Sequence, residues 1–434
     1  MALLGATVWG ARAEALPAFA AQTGQPCQMC HVGGFGPQLT PYGRDFKLNG
    51  YTQRSTPFNV PLSAMVVASY LRTAKGQEPP PDGFKPNDNF ALDQASLFVA
   101  GGLGSHLGGF GQVTYDGVAK AWTWDNLDLR AVTRVQIGGT PATLGVSFNN
   151  NPTVQDAWNT LPAWAFPYTD SALKPAPATS PILGSLAQVV MGVTAYAWIN
   201  QKVLIEAGAY GSPAAGTLQS LGADPTSPGA LSGLAPYGRI AYQPLVLGGT
   251  LEIGAFGFAT SIYPGLDRST GLVDHYTDYG LDASFQKAFA DSGVFSLNGR
   301  FLHEQQSLKA TCELAGAQPS FCASNFLTDF RADASYYWRD KVGLTVAGFE
   351  TVGSTNPVLY AGNRTFKPDS QGVMVQIDGT PFGDLGQPQR RINLRVGLQY
   401  TAYGLFNGAH HNFDGTGRQA SQNNSVRVFT WLAF

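Results

Sequence analysis

The sequence predicts an all-β fold, a 16-stranded antiparallel transmembrane β-barrel, on three observations: a composition foreign to soluble enzymes, a chain-long period of two in hydropathy, and connections sorted into short and long. Of 434 residues only 13% are charged, for a net charge of −2, while 52 are glycine and 12% are aromatic. Soluble domains carry about 25% charged residues and about 7% glycine. No stretch approaches the ~18 consecutive apolar residues of a membrane helix, so spanning by helices is excluded. The near-neutral balance leaves no basic footprint for nucleic acid, and 44% hydrophobic residues are too many for a disordered chain.

Read from the N-terminus, Ala2 to Gly10 is apolar and Ala11-Arg12-Ala13 has the small-x-small form of a signal-peptidase site. Residues 1–13 are therefore expected to be a signal peptide, truncated because the basic n-region is missing, with Glu14 first after cleavage. Export agrees with the cysteines: Cys312 and Cys322 flank a short polar stretch with Gly316 and Pro319, a spacing that suits a loop-closing disulfide in an oxidising compartment.

The motif with chemistry is Cys27-Gln28-Met29-Cys30-His31, a CxxCH sequence, the attachment signature of c-type haem. Each thiol adds across a haem vinyl group, the two-residue spacer sets the sulfurs at vinyl spacing, and His31 follows directly so that its imidazole reaches the iron. With four cysteines and six histidines in the chain, roughly 0.0005 chance matches are expected. A structural zinc site would need four ligands, and Cys312 and Cys322 lie far off. A thioredoxin-type pair would need a βαβ context that is absent. Residues 14–60 are thus read as a monohaem cytochrome c segment binding one covalent haem c, too short and too rich in Gly and Pro to bury a macrocycle alone. The wall has to come from residues 61–434.

That region supplies it. Strands of about eleven residues are expected near 61–73, 90–102, 107–118, 122–137, 140–150, 186–199, 201–212, 236–248, 250–263, 275–289, 293–309, 325–338, 341–353, 369–380, 392–405 and 424–434. In the fourth, Leu127, Leu129, Ala131, Thr133, Val135 and Ile137 share one face and Asn126, Asp128, Arg130, Arg134 and Gln136 the other. In the fifteenth, Ile392, Leu394, Val396, Leu398 and Tyr400 oppose Asn393, Arg395, Gln399 and Thr401. Tight turns at 103–106, 138–139, near 200, 248–249, 290–292 and 339–340 alternate with long connections at 74–89, 151–185, 213–235, 264–274, 310–324, 354–368 and 406–423, with 381–391 a longer exception on the short side. An outer-membrane barrel has this pattern, with short periplasmic turns, long external loops, an even strand count and both termini periplasmic. Closure pairs every backbone group within lipid. A soluble sandwich or propeller would not sort its loops by side, and no repeat of blade length is present.

The stretches Ala15-Leu16-Pro17-Ala18-Phe19-Ala20, Gln22-Thr23-Gly24, the CxxCH at Cys27 to His31, and Pro41-Tyr42-Gly43-Arg44-Asp45-Phe46-Lys47-Leu48-Asn49-Gly50-Tyr51 resemble the fused monohaem cytochrome-porins of the outer membrane. The N-terminal match is specific; the barrel matches in architecture and length only. The resemblance implies a cytochrome segment seated inside a 16-stranded barrel and a part in oxidising extracellular Fe(II). It makes the expected function an electron conduit from Fe(II) or another reduced extracellular donor to a periplasmic cytochrome or copper protein, an Fe(II) oxidase of cytochrome c type. The alternative is a passive porin whose haem segment is a plug or sensor. A trimer is compatible with a porin-like barrel.

A distal iron ligand has to come from the barrel, because Met29 sits within the attachment loop. Parity turns Met65 inward with Ser63 and Ser69, and Met374 inward with Gln376 and Asp378, whereas Met191 and His303 fall outward. Met65 or Met374 is therefore a candidate, beside a five-coordinate or water-ligated iron. Arg44 and Lys47 are candidates for the haem propionates or for lumen carboxylates such as Asp128. Two further candidates are His410-His411 with Asp414, as an external ferrous site, and the Trp158, Trp164, Phe166 and Tyr168 cluster, as an inward constriction or an interfacial belt.

Overall fold

The computed structural model describes residues 18–55, 61–224, 229–265, 268–290, 292–382 and 392–434. The expected signal peptide, Glu14, the linker at 56–60 and most of the 381–391 turn lie outside the described residues.

Sixteen strands form one closed antiparallel barrel. They are β1 (Leu62–Thr73), β2 (Asn89–Leu103), β3 (Leu107–Asp116), β4 (Ala121–Ile137), β5 (Thr140–Asn149), β6 (Met191–Ile199), β7 (Val203–Gly211), β8 (Gly229–Leu231 and Ala235–Tyr242), β9 (Gly249–Pro264), β10 (Asp274–Phe289), β11 (Gly293–Ser307), β12 (Asn325–Trp338), β13 (Val342–Gly353), β14 (Ser370–Gly379), β15 (Asn393–Leu405) and β16 (Ser425–Ala433). Each pairs with the next, and β1 pairs with both β2 and β16, which closes the ring. The seam continues past β16, where Phe434 and Ala64 exchange backbone hydrogen bonds of 2.9 and 2.7 Å.

The alternation has a physical reading. Leu281 is 59% exposed and Val428 49%, whereas Asp282 is 4% and Arg427 1%. Apolar side chains face out, and charged ones are buried inward, the inverse of a soluble barrel and the arrangement lipid requires. The faces expected for the fourth and fifteenth strands are those observed: Leu129, Ile137, Val396 and Leu398 face out, while Asp128, Arg130, Arg395 and Gln399 are buried.

Three departures from the expected pattern each have a local cause. The sixth strand begins at Met191 rather than near 186, because residues 181–190 belong to a long connection whose Ile182, Leu183, Leu186 and Val190 pack into a buried cluster with Tyr210 and Phe258. The eighth is interrupted after Leu231, with Gly233 in the left-handed region, and stops at Tyr242 short of Pro244, which has no N–H for a ladder. A two-residue pairing at Leu245–Val246 completes that hairpin. The β3–β4 connection, on the side of the long loops, is only a short turn; there Leu221, from the connection after β7, accepts the Trp124 backbone N–H at 2.9 Å.

The longest connection, 150–190, turns inward. Val154, Asp156, Ala157, Trp158 and Leu161 are all 0–1% exposed, so this polar-looking loop is interior. Its anchor is Asp156, whose carboxylate accepts from the backbone N–H groups of Trp158, Thr160 and Leu161 at 2.8–3.0 Å. Beyond it stands Arg239 of β8, which is 3.2 Å from Glu252, 2.6 Å from Asp282 and 3.8 Å from Asp156. One buried guanidinium therefore holds two barrel carboxylates and the loop together. On the loop side of the barrel, Cys312 and Cys322 are joined in a disulfide with Cα atoms 6.0 Å apart.

Candidate functional site

The N-terminal segment folds as three short helices, α1 (Ala18–Thr23), α2 (Cys27–Cys30) and α3 (Pro41–Leu48). α2 is a single turn closed by His31 N–H on the Cys27 carbonyl at 2.8 Å. Residues three apart on a helix share a side, so the turn puts both thiols on one face and delivers His31 immediately after. α3 begins in the expected way: Thr40 caps it, accepting from Gly43 N–H at 3.2 Å, and Pro41 supplies the first residue.

The two helices are clamped. Thr40 N–H bonds to the Cys30 carbonyl at 2.8 Å, and a bridge between His31 and Leu39 ties off the loop between them. At Gly43 a Cβ would stand 2.3 Å from the Cys30 carbonyl oxygen. Backbone cannot give way as a side-chain tip can, so Gly43→Ala is expected to push the Cys27–His31 turn off its seat at a cost of about 1–3 kcal/mol from overpacking. The measurement is the fraction of purified protein carrying covalent haem, which should fall; an unchanged fraction and unchanged stability would remove Gly43 from the site.

Side chains on the inner face of strands around the ring bind this segment. Tyr51 donates to Asp128 of β4 at 2.7 Å, Thr143 of β5 donates to Asn49 at 2.7 Å, and Tyr196 of β6 donates to the Leu48 carbonyl at 2.9 Å. Across the ring, Asn393 donates to the Gly34 carbonyl at 2.8 Å and Arg395 to the Phe35 carbonyl at 3.3 Å. Gly33, at φ +71°, gives its N–H to Asp340 in the β12–β13 turn and lies so close to Tyr337 that a Cβ would be 2.5 Å from the ring. These partners cluster at the end of the barrel where the short turns are.

Cys27, Cys30 and His31 line one cavity of about 460 Å³ with Phe19, Phe35, Phe46, Tyr51, Met65, Trp164, Tyr168 and Trp431. Its size and mostly apolar lining are those of a cofactor pocket. Burial lowers the His31 pKa to about 4; the Pro37 and Gln38 carbonyls oppose that shift and the Arg395 charge adds to it. The ring is thus neutral at ordinary pH, the form that binds a metal. Its Nδ1 is buried without a hydrogen-bond partner. Burial also raises Cys27, and raises Cys30 to about 12, so both sulfurs are thiols, the species that adds across a vinyl group. Among the described residues the residue set fits a covalent haem c.

The candidate ligands separate. Met65 lines this cavity, and its Sδ accepts the Trp431 indole N–H at 3.3 Å. Met374 is buried elsewhere, packed with Phe166 and Ala347. The two cations separate as well. Arg44 is not part of the cavity wall; it donates to Gln243 at 3.3 Å, and its pKa is lowered by burial to about 10, with Glu252 and Asp156 opposing. Lys47 reaches the wall, but its Nζ donates to the Val154 and Asp156 carbonyls and lies 4.9 Å from the Trp164 ring centroid. Burial brings its pKa down to about 7, with Arg130 adding to the shift.

The aromatic loop cluster takes the inward course. Trp158 donates to Gln243 at 2.7 Å, Phe166 is 1% exposed, and Trp164 and Tyr168 line the cavity. His410 and His411 are exposed, and Asp414 does not join them: its carboxylate accepts from Thr416 and from Arg418 N–H within its own turn. Among the described residues no group of three or more His, Cys, Asp or Glu is arranged to hold a metal ion. Trp431, Gly43 and Arg395 are the site residues that the sequence did not single out. A lone inward aromatic, a helix glycine and a strand arginine carry no signal until the ring closes.

No protein-family model matches the sequence, and no curated protein matches it. Solved structures similar to the chain include OmpT expressed in the outer membrane of Vibrio cholerae, at 8% identity over 87% of this chain and 99% of that one with a TM-score of 0.46. OmpF of Salmonella typhi, in complex with daunomycin, is 12% identical over 86% and 97% with a TM-score of 0.48. The anion-selective porin of Comamonas acidovorans is 12% identical over 86% and 98% with a TM-score of 0.45. The chain's own closed ladder of strands is what makes it a 16-stranded barrel.

Proposed function

We propose that this protein is an outer-membrane electron conduit that takes electrons from extracellular Fe(II) and passes them to a periplasmic cytochrome or copper protein. The observation that carries this reading is the joint lining of one apolar cavity by Cys27, Cys30 and His31 of the N-terminal segment and by inner-face side chains of the barrel. A haem c bound there supplies a one-electron ferric/ferrous couple whose potential depends on axial ligands and solvent access. Cys27 and Cys30 would hold it through two thioethers, and His31 would present a neutral imidazole to the iron. Phe19, Phe46, Trp164 and Trp431 line the cavity and would exclude water from it.

The segment sits at the short-turn end, which in this reading faces the periplasm. The 150–190 loop enters from the opposite end and brings Trp164 and Tyr168 to the same cavity. Loop and segment both pack against inner-face side chains, which favours a conduit over a passive pore. Anaerobic mixing of oxidised, detergent-solubilised protein with Fe(II) is expected to develop the reduced α-band rapidly. Haem-containing protein that stays oxidised would rule out ferrous iron as the donor, and protein without covalent haem would overturn the reading itself.

A further inference from the structure

We infer that Met65 is the second axial ligand of the iron and that the Trp431 indole positions its sulfur. This rests on the covalent haem of the proposed function and adds the residue that completes the iron site.

Among the methionines and histidines of the described residues, elimination leads to one side chain. Of the methionines, Met29 lies within the attachment turn, Met191 has the lipid-facing parity of Val193, and Met374 is packed with Phe166 and Ala347 and does not line the cavity. His106, His303 and His410 each engage Nδ1 at Val132, Thr328 and Gly404, and none of the histidines other than His31 lines the cavity. Met65 does, together with both thiols and His31.

The second observation is what the sulfur does. At the seam, Met65 pairs with Ala433 and Val67 with Trp431, which sets Met65 and Trp431 diagonally on the inner face of neighbouring strands. The indole Nε1 donates to Sδ at 3.3 Å. A buried indole N–H needs a partner and usually finds oxygen; here it is committed to a thioether. A thioether sulfur has two lone pairs, so a donor on one fixes the side chain's orientation and leaves the other for a metal. Trp431 is itself held by Phe35, ring centroids 5.0 Å apart and edge-on, and Phe35 lies in the loop that His31 opens. The proximal loop and the distal sulfur therefore share one buttress. A hydrogen bond to a ligating sulfur withdraws electron density from it, which favours the ferrous state and raises the potential.

The test uses the full-length, haem-loaded protein in detergent. Wild type should show the weak far-red charge-transfer band of thioether-ligated ferric haem, and Met65→Leu should lose it and fall in midpoint potential. Met374→Leu should keep both. Trp431→Phe should keep the band but lower the potential, a change that a purely packing role would not make. If Met65→Leu fails to assemble, Met65→His serves instead, with a bis-histidine low-spin spectrum expected. A haem-loaded Met65→Leu protein with the wild-type band and potential overturns the inference, as does a wild-type protein without the band. Absence of covalent haem from wild type would instead strike the proposed function, so the two failures are distinguishable.

Discussion

Replacing Cys27 and Cys30 together with alanine is expected to abolish covalently held haem completely. Both sulfurs line the cavity, and no other thiol is near it, since Cys312 and Cys322 are bonded to each other in the loop that follows β11. With no thioether left, any haem is held only by non-covalent contacts and axial ligation, and denaturation in acidified acetone strips it from the polypeptide. The read-out is pyridine haemochrome in the extracted protein. Single variants should keep one thioether and shift the α-band, because one vinyl group stays unsaturated. The Cys312→Ser/Cys322→Ser double variant is the control and should keep its haem. Retention of covalent haem by the Cys27→Ala/Cys30→Ala protein would be fatal to the assigned attachment site. Reduction by Fe(II) should disappear with the haem.

The second large effect is expected at Arg239. This guanidinium stands within 3.8 Å of three carboxylates, Asp156, Glu252 and Asp282, and both sides of each contact are fully buried. Arg239→Ala leaves three buried carboxylates without the guanidinium that bridges them, and breaking a buried pair in this way costs about 3–5 kcal/mol. Arg239→Met, which keeps most of the volume, should cost nearly as much, and that comparison isolates charge from packing. Because Asp156 belongs to the inward loop and is anchored by its own backbone, the strain has a route of release: the loop leaves the wall. Stability to urea, followed by tryptophan fluorescence, should fall for both variants. In planar bilayers the variants should conduct ions more than wild type. If Arg239→Met matches wild type in both measurements, the cluster does not hold the loop. Adding Glu252→Gln and Asp282→Asn to Arg239→Met should restore part of the stability by removing the repulsion.

The elements that sequence made legible are those whose determinants are local. In a barrel wall each strand has one lipid face, so Leu129 and Ile137 against Asp128 and Arg130 can be read as a period of two without knowing any partner. The CxxCH is contiguous, and one helical turn is enough to bring its parts together. The inward 150–190 loop was not settled in the same way. Spacing leaves its Trp158, Trp164, Phe166 and Tyr168 open between an inward constriction and an interfacial belt, and its Asn151, Thr153 and Asp156 carry no apolar signal of burial. Here the interior is lined with Arg130, Arg239, Glu252 and Asp282, and a polar loop is what such a wall accepts.

Arg44 and Lys47 show the same limit on a smaller scale. They lie three residues apart on α3 and were read as one pair, yet Arg44 turns to Gln243 while Lys47 caps carbonyls of the inward loop. Met65 and Met374 are equivalent by parity, since both face inward. Parity says which side of the wall a residue is on but nothing of its depth or of its place around the ring. Met65 is near the start of β1, beside the seam and the N-terminal segment, and Met374 is in β14, two strands beyond the seam strand β16. Sequence by itself determined the barrel, the sidedness of its loops and the haem attachment motif, because each is written in spacing along the chain. Which methionine meets the motif, which arginine holds which loop and what fills the lumen were decided by the tertiary structure. Closing the ring brings together residues hundreds of positions apart, and only their depth along its axis selects the pairs that touch.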